Sequence, residues 1–239
     1  GTGHAALQAA PSCLPQSTVL VLYGDVPLLT TEVLSEVVNA ASHSPVLLAA
    51  TLDNPIGYGR VIRDSVGCFA KVVEQKDASP DELAVVEVNT GVLAAQASEL
   101  HSWLLQVTND NVQGEFYLPD VLGLALDDGR EVSVVVTDRS SDIAGVNDRA
   151  QLEELERAYQ TRQAKALMAD GVRVMDANRL DIRGSLSCGV DVVLDVNVVI
   201  EGDVVIADGA IIEANCVVNN CSIGEDAVIH AFRHVDGAV

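Results

Sequence analysis

The chain has 239 residues, 49% of them hydrophobic but only 3% aromatic, and a formal net charge of −21. That length and apolar content suit one large or two smaller domains with a core of Val, Ile, Leu and Ala, and a mean hydropathy of +0.26 excludes a disordered chain. The acidity, with no basic patch to offset it, argues against a nucleic-acid partner.

Five scattered cysteines without a CxxC pair make structural zinc or a disulfide framework a poor fit; reduced thiols and a cytoplasmic setting are the simpler reading. No apolar run reaches the roughly 18 residues of a membrane span. There is no initiator Met, and the opening GTGHA reads as the interior of something longer.

In chain order, Gly1 to Ala10 begins with a Gly-x-Gly turn and continues as an Ala/Leu helix. Glycines opening a helix bring backbone N–H groups to an anion or a base edge. TVLVLYGDVPLL, Thr18 to Leu29, reads as a buried parallel strand that stops at Gly24-Asp25. Ligands of open α/β sheets sit outside the carboxyl ends of strands, so Asp25 is where a metal or polar ligand is expected. The alternative is a plain acidic turn, since Gly-Asp is a common turn pair.

Thr30-Thr31-Glu32 supplies caps and a first-turn carboxylate for a helix carrying Val33, Leu34, Val37 and Val38. Pro45 to Thr51 is a second buried strand, and strand-helix-strand order predicts a parallel sheet. NPIGYGRVIRD, from Asn54, is a loop leading into extended Arg60-Val61-Ile62.

Phe69 to Glu74 is another strand, and EVNTG leads into Val92 to Ala95. Asn89 interrupts that apolar run and needs partners if buried. Leu100 to Val107 is helical, Asn109 to Leu126 is a polar loop and then a helix, and Glu131 to Val136 is a strand. Asn147-Asp148 starts a long helix to about Met168, with Leu152, Leu155 and Tyr159 as its apolar stripe.

From Leu180 the period changes. Aliphatics recur every six residues at Ile182, Leu194, Ile200, Ile206, Ile212 and Val218, with Cys188 in phase. Val198, Val204, Ala210, Cys216 and Ser222 follow at a fixed offset, and the frame slips by one at Ile223-Gly224. Six residues per repeat is the signature of a parallel β-helix whose coils have three flat sides. Cys216 is an inward packing residue on that lattice. AFRHVDGAV at the end reads as leaving it.

GTGHA, LYGDVPLL, NPIGYGRV, VVEQKDA, EVNTG, NVQGEFYLPD and AGVNDRAQL occur in the order and spacing of the bacterial bifunctional N-acetylglucosamine-1-phosphate uridyltransferase/glucosamine-1-phosphate acetyltransferases, and the hexapeptide tract follows where that family has its left-handed β-helix. The chain resembles that family over nearly its whole length.

The resemblance implies an α/β Rossmann-like nucleotidyltransferase domain over 1–147, incomplete at its N-terminus. A linker helix over 148–178 and the start of a left-handed parallel β-helix of hexapeptide repeats over 179–239 follow. It implies transfer of UMP from UTP to N-acetylglucosamine 1-phosphate, giving UDP-N-acetylglucosamine and pyrophosphate for peptidoglycan and lipopolysaccharide precursors.

By the same resemblance Asp25 and Asn147 are the catalytic metal ligands, for Mg²⁺. Gly1 and Thr2 lie at the uracil, and Tyr23, Gly59, Glu74 and Asn89 at the sugar, with Gly24 beside Asp25. The family is cytoplasmic and homotrimeric.

Two departures qualify the match. The family's Gly-rich phosphate loop and its lysine would precede Gly1, and its acetyl-CoA-dependent acetyltransferase residues would follow Val239. His230 and His234 are not matched to that site's histidine. The chain therefore reads as an internal fragment that is itself inactive. The alternatives are a noncatalytic scaffold bearing the β-helix, or a sugar-phosphate nucleotidyltransferase of other specificity, to which GYGRV and EVNTG are less suited.

Overall fold

A computed structural model describes residues 1–237. The chain divides into two compact units, Gly1–Val146 and Asn147–Val239.

The first unit runs α1 (Thr2–Ala9), β1 (Thr18–Val21), α2 (Thr31–Ala40), β2 (Val46–Thr51), β3 (Arg60–Arg63), β4 (Phe69–Val73), α3 (Pro80–Leu83), β5 (Glu87–Gln96), α4 (Ala97–Leu104), α5 (Asp120–Asp127) and β6 (Ser133–Thr137). The strand order is β4-β3-β5-β2-β6, with β1 also on β5. β5 is antiparallel to β1, β2 and β3, whereas β2 and β6 are parallel.

Leu93 and Ala94 of β5 pair with both β1 and β2, so β5 lies between them. This corrects one expectation. β1 is not a buried parallel strand; it pairs with β5 alone, antiparallel, and all four of its residues are half-buried. β1 and β2 do run in the same sense, as a strand-helix-strand unit requires. What the local pattern conceals is that a later strand enters between them.

Alternation along β2 and β5 builds two cores. Leu47, Ala49, Leu93 and Ala95 pack with Trp103 and Leu104 of α4, Val121 and Leu122 of α5, and Leu7 of α1. Val46, Leu48, Val92 and Ala94 face Val37 and Ala41, in and just after α2. α2 begins where Thr30 Oγ1 accepts the Val33 N–H at 3.5 Å. α1 starts at Thr2, so Gly3 is inside the helix rather than in a turn before it, and its N–H donates to Phe116 O at 2.9 Å.

The second unit opens with α6 (Arg149–Ala169), capped by Asp148, whose Oδ1 accepts the Gln151 N–H at 2.8 Å. The expected apolar stripe is only partly right. Leu155 is buried, but Leu152 and Tyr159 are 53% and 43% exposed, and Gln160 and Ala164 are buried instead. The helix is turned so that the Gln160 amide meets a strand backbone: Oε1 accepts the Ile182 N–H at 2.8 Å and Nε2 donates to Ile182 O at 2.9 Å.

The strands that follow are β7 (Arg173–Val174), β8 (Leu180–Cys188), β9 (Val193–Leu194), β10 (Val198–Ile206), β11 (Ile211–Ile212), β12 (Val217–Asn219), β13 (Ser222–Ile223), β14 (Val228–Ile229) and β15 (His234–Asp236). They stack in parallel into a solenoid of about four turns, consistent with a left-handed β-helix. Ile182, Leu194, Ile200, Ile206, Ile212 and Val218 are all buried in one core, together with Cys216.

Successive coils are 18 residues apart, as in the Asn197 Nδ2 to Asn215 Oδ1 bond, until the step shortens to 17. The slip falls at Asn220-Cys221, ahead of Ile223: Val199 pairs with Val217 but Val205 with Ser222. Cys221 takes the inward position and Ser222 is exposed, because Asn220, at φ 43°, turns the corner with one residue fewer.

The tail does not leave the lattice over residues 231–237. β15 pairs in register with β12, and Val235 packs on the core. The shortened step had put it out of phase with the earlier repeats. The last two residues of AFRHVDGAV, 238–239, lie outside the described residues. Among the described residues no helix is long and apolar enough to cross a membrane.

Candidate functional site

β1 ends at Val21, and the Val26 N–H donates to Tyr23 O at 3.2 Å, closing a turn centred on Gly24-Asp25. The Asp25 carbonyl accepts the Val146 N–H at 2.8 Å. A Cβ on Gly145 would lie 4.0 Å from Asp25 Oδ2, so this glycine leaves the carboxylate's surroundings open. Asp25 is exposed, and among the described residues its carboxylate accepts no hydrogen bond. Gly24 is also exposed, with nothing within 4 Å of where a side chain would begin.

From this turn a series of contacts links candidate residues drawn from five separate stretches. The Thr2 side chain lies near enough to the Tyr23 phenol to oppose the upward shift that burial gives it. Thr2 Oγ1 also accepts the Leu118 N–H at 3.1 Å. The Tyr23 ring lies against Gly91, where a Cβ would come within 2.6 Å of Cζ and 2.8 Å of Cδ2. The Gly91 N–H donates to Asn89 Oδ1 at 2.9 Å. The Asn89 N–H donates to Gly59 O at 2.9 Å. A Cβ on Gly59 would stand 3.1 Å from Glu74 Oε1. Tyr23, Gly59, Glu74, Asn89 and Thr2 are thus brought together inside the first unit.

The electrostatics are one-sided. Burial raises the Glu74 carboxyl above its ordinary value, and the charges of Asp120 and Asp77 raise it further. Asp120 is raised too, by burial and then by Asp77. Burial raises Tyr23, despite the Thr2 side chain, with Glu74 and Asp25 adding to the shift. A half-buried carboxylate that accepts no hydrogen bond among the described residues, beside an amide, suits a ligand rich in hydroxyl and amide groups rather than a bare anion.

Sequence reasoning missed Asp77, Asp120 and Gly91. All three sit in motifs that drew attention for other residues. Asp77 Oδ1 accepts the Val112 N–H at 3.0 Å and its Oδ2 accepts the Tyr117 hydroxyl at 3.3 Å, so VVEQKDA and NVQGEFYLPD are tied to each other.

Gly1 caps the start of α1, and a Cβ there would meet Phe116 O at 2.6 Å, so only glycine fits against that loop. Asn147 opens the second unit; its N–H donates to Gln151 Oε1 at 2.7 Å. Among the described residues no three His, Cys, Asp or Glu side chains cluster as a metal cage. A divalent ion at Asp25 would take most of its ligands from outside the protein's carboxylates, imidazoles and thiols.

No family model matches the chain. Over all 239 residues it is 50% identical to the Bifunctional protein GlmU of Burkholderia thailandensis, and equally to that of Burkholderia mallei. The chain spans 53% of the length of these curated relatives. A solved chain described as a candidate glucose-1-phosphate thymidylyltransferase of Bacillus anthracis, in complex with a sucrose, aligns with a TM-score of 0.48 and 14% identity. That alignment covers 65% of this chain and 59% of the other, and at that level it carries no argument. The resemblance drawn from the motifs therefore extends over the whole chain.

Proposed function

We propose that this chain carries the sugar and uracil side of a uridyltransferase site, in which N-acetylglucosamine 1-phosphate attacks UTP. A sugar-phosphate oxygen forms a bond to the α-phosphorus, the bond from that phosphorus to the bridging oxygen breaks, and pyrophosphate leaves. UDP-N-acetylglucosamine is the product. The observation that carries the reading is the contact series from Thr2 through Tyr23, Gly91, Asn89 and Gly59 to Glu74.

In this reading Tyr23, Glu74, Asn89 and the bare backbone of Gly59 bind the sugar. Gly1 and Thr2 meet the uracil, with Gly24 letting the turn approach the ligand. Asp25 and Asn147 hold Mg²⁺, which when bound offsets phosphate charge. The protein's own part is positioning: no covalent intermediate is required, and holding both reactants in line supplies most of the acceleration. The setting is cytoplasmic and the assembly a homotrimer, as the resemblance implies.

Titrating the chain with UDP-N-acetylglucosamine in the presence of Mg²⁺ tests the binding. Glu74→Ala should weaken affinity by about tenfold, the loss of a charge-assisted hydrogen bond. Wild-type affinity in that variant, or equal binding of UDP-glucose, would overturn the sugar assignment. A pyrophosphate-release assay separates a competent site from one that binds without turnover.

A further inference from the structure

We propose that Gly91 is a positioning residue for this site, acting through a β-bulge that aims Tyr23 and Asn89 together. The inference rests on the uridyltransferase reading for the ligand it names, but its geometry stands apart from that reading.

Along the β2–β5 ladder, Leu47 pairs with Leu93 and Ala49 with Asn89. Leu48 alone on β2 therefore faces Thr90, Gly91 and Val92 on β5. The bulge is held by side chains. Thr90 Oγ1 donates to Leu48 O at 2.7 Å and accepts the Val92 N–H at 3.2 Å, replacing the ladder bonds the bulge removes. Gly91 sits at φ 81°, a region that favours glycine. This turns its N–H away from β2 and onto Asn89 Oδ1.

Two consequences follow. The Asn89 side chain is 8% exposed for the residue as a whole, its Oδ1 is committed, and among the described residues its Nδ2 has no partner. Asn89 therefore meets a ligand as a donor and recognises an acceptor oxygen. The missing Cβ also gives the Tyr23 ring its seat, since a methyl there would overlap the ring. Bulges beside sites re-aim side chains in this way.

The test is a double-mutant cycle on the full chain, with Gly91→Ala, Tyr23→Ala, their combination, and Gly67→Ala as control. Gly67 shares a positive φ of 89° but has nothing within 4 Å, so it reports backbone strain alone. Gly91→Ala should weaken UDP-N-acetylglucosamine by about tenfold or more while changing UDP by less than about twofold, because the defect lies at the sugar. It should also lower the melting temperature more than Gly67→Ala does, and adding Gly91→Ala to Tyr23→Ala should give only the Gly67→Ala loss.

Should Gly91→Ala alone fail to fold and the double variant fold, the ring contact is supported. Equal losses in both Tyr23 backgrounds, failure of both variants to fold, or equal weakening of the two ligands would overturn the proposal. The melting cycle needs no ligand. Failure of the wild type to bind UDP-N-acetylglucosamine would therefore sink the functional reading without touching the bulge.

Discussion

The two units solve the problem of specifying a core in opposite ways. In the solenoid each buried aliphatic stacks on its equivalent one coil away, so the inward positions follow a fixed count along the chain. In the α/β unit β5 pairs with β1, β2 and β3, which lie both far upstream and close by, and the site is assembled from residues 2, 23, 59, 74, 89 and 91. A repeat spreads its specification over many equivalent positions. A sheet with a strand inserted between two others concentrates it at one bulge.

The sharpest way to probe that difference is to remove a repeat position. Ile200 is fully buried between coils, and Ile200→Ala should cost about 2–5 kcal/mol, read by urea unfolding. The matching change at the half-buried Val19 of β1, Val19→Ala, should cost much less. Comparable losses would mean that solenoid coils share the load more evenly than their burial implies.

A smaller effect separates the repeat from its cap. The first long coil strand, β8, offers the Ile182 N–H and carbonyl to Gln160 rather than to another strand. Gln160→Ala leaves both unpaired in a buried place and should cost about 1–3 kcal/mol. Rapid amide exchange confined to Ile182 and its neighbours is the accompanying signature. An unchanged unfolding midpoint would show that water replaces the amide there.

These contrasts explain what could be read in the sequence. Six inward aliphatics, Cys216 and the helix caps Thr30 and Asp148 were legible because each depends on neighbours at fixed spacing. Of the candidate site residues, Asp25 was legible from its place at a strand end and Asn89 as a polar break in an apolar run; the others were legible only through their resemblance to a family, since nothing in a local window says that Tyr23 and Gly91 touch. The strand β1 was misjudged because an apolar run looks alike whether its partner is parallel or antiparallel. The stripe on α6 failed because Gln160 is drawn inward by a backbone need that hydropathy does not register. The slip at Asn220 came early because one residue in a left-handed corner shortens a coil without altering the aliphatic pattern before it.

The smallest expected effect is a difference in the sign of pH dependence. Burial, then the charges of Asp120 and Asp77, raise Glu74 above 4.5, so the folded site binds a proton that the unfolded chain has already released. That contribution is complete below pH 4.5 and is lost as pH rises through the folded value, so the α/β unit weakens toward neutrality on this account.

Glu213 in the solenoid behaves oppositely. The Ala231 N–H, at 2.8 Å, and then the His230 side chain lower it, so its contribution holds above 4.5 and disappears as pH falls. Glu82, lowered to about 2 first by Lys71 and then by Ser79, adds a loss in the α/β unit only below 4.5, outside the Glu74 window. Melting curves at pH values from 4.5 upward should therefore fall less steeply for Glu74→Gln than for wild type, while Glu213→Gln should leave the slope in that window unchanged. Parallel curves for wild type and Glu74→Gln would mean that the site carboxylates are solvated well enough to ionise normally.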